Sequence, residues 1–164
     1  MNEVAVTPEE FLSRPDQQMI DDLEARLIQF PQVDLKVVHR FTPGLYIRET
    51  HALAGMIFTS KIHLKEHPFV IAKGVCHVWM DGSGWVRQVA PFVGITKPLT
   101  RRVVFTEEDT VCITFHPTTK TTLEEVEAEI IFSHYEHLGL SDEGLTALRK
   151  IQHFTNSENL SLEG

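Results

Sequence analysis

The chain has 164 residues, enough for one compact domain with a core of its own and too few for two. Hydrophobic residues make up 42% and charged residues 23%, a globular composition that excludes a wholly disordered chain. The 15 Lys and Arg against 23 Asp and Glu leave a formal charge of −8, so the surface repels phosphate backbones and a nucleic-acid partner is not expected.

Residues 1–34 read as an N-terminal helical arm. Thr7-Pro8-Glu9-Glu10 offers a capping hydroxyl, a proline for the first helical position and a glutamate at the third. Asp16 is predicted to cap a second helix running to about Phe30, because Met19, Ile20, Leu23, Leu27 and Phe30 recur at helical spacing. Asp21, Asp22, Glu24 and Arg26 make its wet face, and Pro31 ends it.

From about 35 to 120 the texture becomes that of short strands. Runs rich in Val, Ile, Thr, Phe and Tyr are predicted at Lys36–Phe41, Leu45–Thr50, Met56–Leu64, Pro68–Ala72 and Val75–Met80, then at Trp85–Val89, Phe92–Thr96, Arg102–Phe105 and Val111–Phe115. Turn residues punctuate them, with Asp81-Gly82 the strongest hairpin signal and Trp79 and Trp85 poised to pair across it. Nothing between the runs is long enough for a crossover helix, so the pairing is antiparallel and the unit a sandwich, jelly roll or small barrel.

Residues 121–164 read as a C-terminal helical arm. Thr122-Leu123-Glu124-Glu125 is a second capping box, followed by an apolar face of Leu123, Val126, Ile130 and Ile131 and a C-terminal cap at Gly139. Ser141-Asp142-Glu143 opens a last helix carrying Leu145, Leu148 and Ile151. His134 and His137 lie near a helix end, where the macrodipole favours them without any ligand.

No apolar run approaches the ~18 residues of a membrane span. Two cysteines, Cys76 and Cys112, make no disulfide framework; both sit in apolar strands as inert thiols, and a reducing cytosol is the expected compartment.

The chemistry-bearing residues are Gly55, Lys61, His63, His67 and Gly74, spaced G-x5-K-x-H-x3-H-x6-G. This resembles the first motif of the cupin superfamily, G-x5-H-x-H-x3-4-E-x6-G, with both glycines and His63 matched. Lys61 stands where the family has a metal histidine, and His67 where it has glutamate. The second cupin motif leaves no ligand here: one register places Val103 at its histidine, the next Arg102. A nearer resemblance is to small cupin-like proteins of tailed bacteriophages and prophages, carried by the segment His39–Glu49, by Glu66-His67, and by Glu108-Asp109-Thr110-Val111 leading to His116-Pro117-Thr118. The resemblance implies a mainly β fold with flanking helices, a cupin-like antiparallel β-barrel (jelly roll or double-stranded β-helix).

Four residues of straight strand hold His63 and His67 roughly 13 Å apart, so a shared site requires the backbone to fold back near Lys65-Glu66. With that bend, a metal site of His63 and His67 is completed by His77, with Glu66 and His116 as alternatives, for one divalent transition metal (Zn, Fe, Mn or Ni). The same region reads equally as an anion pocket, in which Lys61, His63, His67 and Arg102 bind a small carboxylate or phosphate. Three functions stay open: a phage-type cupin protein binding a small anionic molecule, a virion structural or assembly protein using the arms as contacts, and a metal-dependent cupin enzyme. The amphipathic arms suit a homo-oligomer, a dimer or higher, or phage virion partners.

Overall fold

The computed structural model describes residues 8–80 and 83–132. Two helices lead, α1 (Pro8–Leu12) and α2 (Pro15–Leu27). Then come β1 (Lys36–Thr42), β2 (Leu45–Ala52), β3 (Ile57–Thr59), β4 (Ile62–His63) and β5 (His67–Lys73). They are followed by β6 (Val75–Met80), β7 (Gly84–Val89), β8 (Phe92–Thr96), β9 (Arg102–Thr106) and β10 (Thr110–Pro117). Helix α3 (Leu123–Ile130) and a two-residue strand β11 (Ile131–Phe132) close the described chain.

The strands build two large antiparallel sheets, ordered β1-β2-β10-β5-β8 and β3-β9-β6-β7, and a two-stranded one, β11-β4. The order is nested: β6 pairs β7, β5 pairs β8, β3 pairs β9 and β2 pairs β10. An antiparallel ribbon rolled up on itself gives this pattern, which is the jelly roll or double-stranded β-helix. The barrel is the fold the sequence predicts, and two of its strands, Val75–Met80 and Phe92–Thr96, coincide with the expected runs. Gly74, between β5 and β6, has φ +87°, and a Cβ there would lie 2.2 Å from the Asp109 carbonyl, so only glycine makes this turn.

Met56–Leu64 does not stay one strand. Its backbone leaves the sheet at Ser60, whose N–H donates to the Arg102 carbonyl and whose Oγ accepts from the Arg102 N–H, both at 2.9 Å. After this break Lys61 is only 6% exposed. At Leu64–Lys65 the chain bends again, so that β4 and β5 are separate strands and β4 pairs β11 instead.

The second helix departs from its predicted form. Pro15 takes the first helical position and Arg14 is the N-cap, without a side-chain cap, so Asp16 stands in the first turn. The α-helix ends at Leu27, and tighter bonds from Gln29 N–H to Arg26 and from Phe30 N–H to Leu27 wind up the last residues. Its buried face is Gln17, Ile20 and Glu24, while Met19 and Phe30 are about two-thirds exposed. The reason is Arg101, whose side chain is fully buried and whose guanidinium lies 2.7 Å from Glu24 and 2.8 Å from Asp21. Thr59 Oγ1 donates to the other Glu24 oxygen at 2.7 Å. A charge inside the protein needs its counter-charge there, and that demand outranks the apolar stripe.

Helix α3 begins as predicted, with Thr122 Oγ1 accepting from the Glu125 N–H. Val126 and Ile130 are buried with Tyr46 and Ile131 in one cluster, at roughly 1.5–3 kcal/mol for each large apolar side chain removed from water. The predicted apolar face is split, because Ile131 leaves the helix with extended backbone and pairs His63. The Leu64 N–H donates to the Ile130 carbonyl at 2.8 Å, and Lys65 donates to Glu129. The α3–β11 segment is thus fastened beside β4. Thr7, the Asp81-Gly82 turn, His134, His137, Gly139 and the helix expected from Ser141 lie outside the described residues.

Candidate functional site

Strand alternation decides which side chains enter the barrel. Tyr46, Arg48, Thr50 and Ala52 of β2 face in, as do Thr110, Cys112, Thr114 and His116 of β10. His67, Phe69 and Ile71 come from β5, Cys76 and Val78 from β6, Thr96 from β8, and Arg102 and Val104 from β9. They surround a cavity of about 140 Å³, to which Lys61, His63, Glu127, Ile130 and Ile131 also contribute. Its floor is apolar, with Phe69, Ile71, Cys76 and Val78 packed together. Gly94 leaves room for the Phe69 ring, which a Cβ there would meet at 2.5 Å.

Three imidazoles converge in this cavity. His63, His67 and His116 each offer a ring nitrogen, and all three nitrogens lie within 4.8 Å of one another. The ring centroids are 4.4 Å apart for His63 and His67, 4.3 Å for His67 and His116, and 5.5 Å for His63 and His116. The bend at Leu64–Lys65 does what the spacing requires. Burial holds His63 well below the ordinary histidine value and His116 at about 3, with the neighbouring imidazoles adding to both. It lowers His67 too. Near neutral pH the three rings therefore present free lone pairs rather than charges.

The cluster passes a test for a metal ion. Among the described residues His63 Nδ1 is buried without a hydrogen-bond partner. His67 Nδ1 lies 3.2 Å from the Lys65 carbonyl, and His116 Nε2 lies 2.9 Å from Thr114 Oγ1. Such contacts fix ring orientation and tautomer, as the outer partners of metal histidines do. Nitrogens bound to one tetrahedral zinc at ~2.1 Å stand ~3.4 Å apart. Closing on an ion therefore requires only a small inward shift of the rings.

His77, the third ligand expected from sequence, stands elsewhere. Its strand places Cys76 and Val78 inside and so turns His77 outward, where its Nε2 lies 2.7 Å from Glu107 Oε2. His116 takes the third place. Glu66 is exposed and paired with Lys97 at 2.9 Å, outside the cluster. Lys61 and Arg102 both line the cavity with His63 and His67, which joins the two predicted groups in one chamber.

Lys61 Nζ donates to Glu127 Oε1 at 2.5 Å. Burial, with Arg48 nearby, pushes the lysine down to about 8 against the opposing pull of Glu127. Arg102 donates from Nη1 to Thr96 Oγ1 at 2.9 Å, and its guanidinium lies 5.2 Å over the Phe69 ring. Among the described residues lining the cavity, Arg48, Lys61 and Arg102 face Glu127 as the one acid. Cys112 is pushed up to about 11 and Cys76 is also raised, both by burial, so the thiols are inert as expected. Sequence reading did not single out Arg48, Tyr46 or Glu127. Alternation along β2 carries a signal for the first two, whereas Glu127 enters only because α3 docks.

No protein-family model matches the chain, and no curated protein matches it in sequence. Among the described residues no helix is long and apolar enough to cross a membrane. Solved structures do resemble it. An uncharacterised conserved protein with a double-stranded β-helix domain from Klebsiella pneumoniae aligns at a TM-score of 0.47 and 12% identity, over 60% of this chain and 90% of that one. Salicylate 1,2-dioxygenase from Pseudoaminobacter salicylatoxidans aligns at 0.49 and 11% identity, over 70% of this chain, which spans only 34% of the dioxygenase. The cupin domain of Cnp3 from Schizosaccharomyces pombe aligns at 0.44 and 19% identity, over 62% and 71%. The nested strand order of the chain itself settles the architecture: this protein carries a double-stranded β-helix, or jelly roll.

Proposed function

We propose that this protein binds one divalent transition metal ion through His63, His67 and His116 and receives a small anionic molecule in the same cavity. The observation that carries this is the meeting of three imidazoles, two buried and one half-buried, with nitrogens within 4.8 Å of one another, at a chamber of about 140 Å³. Three protein ligands with room beside them suit a zinc, iron, manganese or nickel site that keeps an open position. An ion held there supplies Lewis-acid polarisation of a ligand oxygen. Arg48, Lys61 and Arg102 supply the attraction for an anion, since they outnumber the single acid that faces them. Glu127 holds Lys61 in place, and the apolar floor excludes water from the ligand's other side.

Elemental analysis of untagged protein tests this. The expected result is close to one transition metal per chain, with His63→Ala and His116→Ala weakening uptake on the order of 100-fold or more. Unmodified protein that takes up no metal after incubation with each of the four ions defeats the reading.

A further inference from the structure

We infer that the ligand's carboxylate docks on Arg102, and that its bearer is a short organic acid whose second oxygen function, two or three carbons away, reaches the histidine cluster. This rests on the metal-site reading above and adds the class and orientation of the ligand.

Among the described residues no carboxylate reaches Arg102. Its donors are only partly used among these residues: Nη1 on Thr96 at 2.9 Å, Nε on the Met80 sulfur at 3.3 Å, and none from Nη2 to any described residue. A guanidinium withdrawn from water in this way is matched by a carboxylate, whose two oxygens accept its parallel donors. Thr96 fixes where that carboxylate lies, because it is the direct cross-strand partner of His67. Directly opposed residues hold their Cβ atoms ~4.5–5.5 Å apart. Arg102, seated on Thr96, is therefore about one residue's width from the imidazoles. A single small molecule spans that distance.

Size narrows the class further. The chamber of about 140 Å³ is close to the ~150 Å³ of an apolar cavity that accepts benzene, so a ligand of roughly six to eight non-hydrogen atoms fits. Nucleotides and sugar phosphates are too large. A plain fatty acid of that size satisfies Arg102 but brings only methylenes to the histidine end.

The test is calorimetric titration of the full chain with malonate, which has two carboxylates, and with butyrate, of similar size with one. Each is run on zinc-loaded and on chelator-stripped protein. On the zinc-loaded protein malonate is expected to bind at least about tenfold tighter than butyrate. Arg102→Met is expected to weaken malonate at least about tenfold with zinc stoichiometry unchanged. Arg102→Lys keeps the charge without the fork, guards against a folding defect in the first variant, and is expected to fall between the two. Malonate binding within about twofold of unmodified in Arg102→Met, butyrate equal to malonate, or no malonate binding up to about 10 mM overturns the inference. If zinc never loads, the metal reading fails separately. The stripped protein then still decides the Arg102 contact: a tenfold loss of both acids in Arg102→Met sustains it, and unchanged binding overturns it.

Discussion

Arg101 and Arg102 are consecutive in sequence and both withdrawn from bulk water, yet their surroundings are opposite. Arg101 points under α2 and is closed off by Glu24 and Asp21 at 2.7 and 2.8 Å. Arg102, one step along the alternation, points into the barrel and meets a hydroxyl, a thioether and an aromatic face. The first has every feature of a structural arginine, since its counter-charges come from the chain itself. The second meets no acid among the described residues. Burial alone does not distinguish a clamp from a binding group; the source of the compensating charge does.

The largest expected effect breaks this contrast from the structural side. Arg101→Met strips buried Glu24 and part-exposed Asp21 of their shared counter-charge and should cost about 3–5 kcal/mol in urea denaturation. Adding Glu24→Met to it should restore most of that loss. Arg102→Met, by comparison, strands no acid and should leave the denaturation midpoint nearly where it was.

Acidification sharpens the contrast from the cavity side. Burial, then Arg48, holds His39 at about 4, and burial, then His67, holds His116 at about 3. The unfolded chain takes up protons on these rings below about 6.5, whereas the folded chain refuses them until far lower. Their contribution to stability is therefore fully present above about pH 6.5 and is lost as pH falls towards 4. Urea midpoints of metal-free protein should drop steadily across that window, and His116→Asn should flatten the slope. A midpoint independent of pH there contradicts the burial of the rings. The smallest effect is expected at His77, which shares Glu107 with Arg87 on the surface; the carboxyl of Glu107 is held at about 2 by those two partners. His77→Ala should change neither the metal content nor the urea midpoint.

The barrel was legible because its strands obey a period of two and are separated by turn residues with few structural alternatives, Gly74 above all. The fold-back between His63 and His67 was legible for a geometric reason, since a straight strand keeps them too far apart. The identity of the third histidine was not. His77 and His116 look alike in a chain of letters, and only the parity of β6 and β10 sends one out and the other in. The buried face of α2 was misread because periodicity weighs apolar residues, while Arg101, 77 positions away from Glu24, demanded acids. Glu127 was invisible for a similar reason: its place depends on how α3 packs beside β4, a tertiary fact without a local pattern.

Nested strand pairing also sets an order on assembly. The innermost pair, β6 with β7, joins residues as near in sequence as Met80 and Gly84, while the outermost, β2 with β10, joins residues as far apart as Leu45 and Pro117. Loop-closure entropy favours the inner pairs first. His116 belongs to that outermost pair, so an ion has no three-nitrogen seat on a half-rolled ribbon. Metal added to a refolding reaction should therefore act as a seal on the finished barrel and slow its unrolling, without hastening its formation.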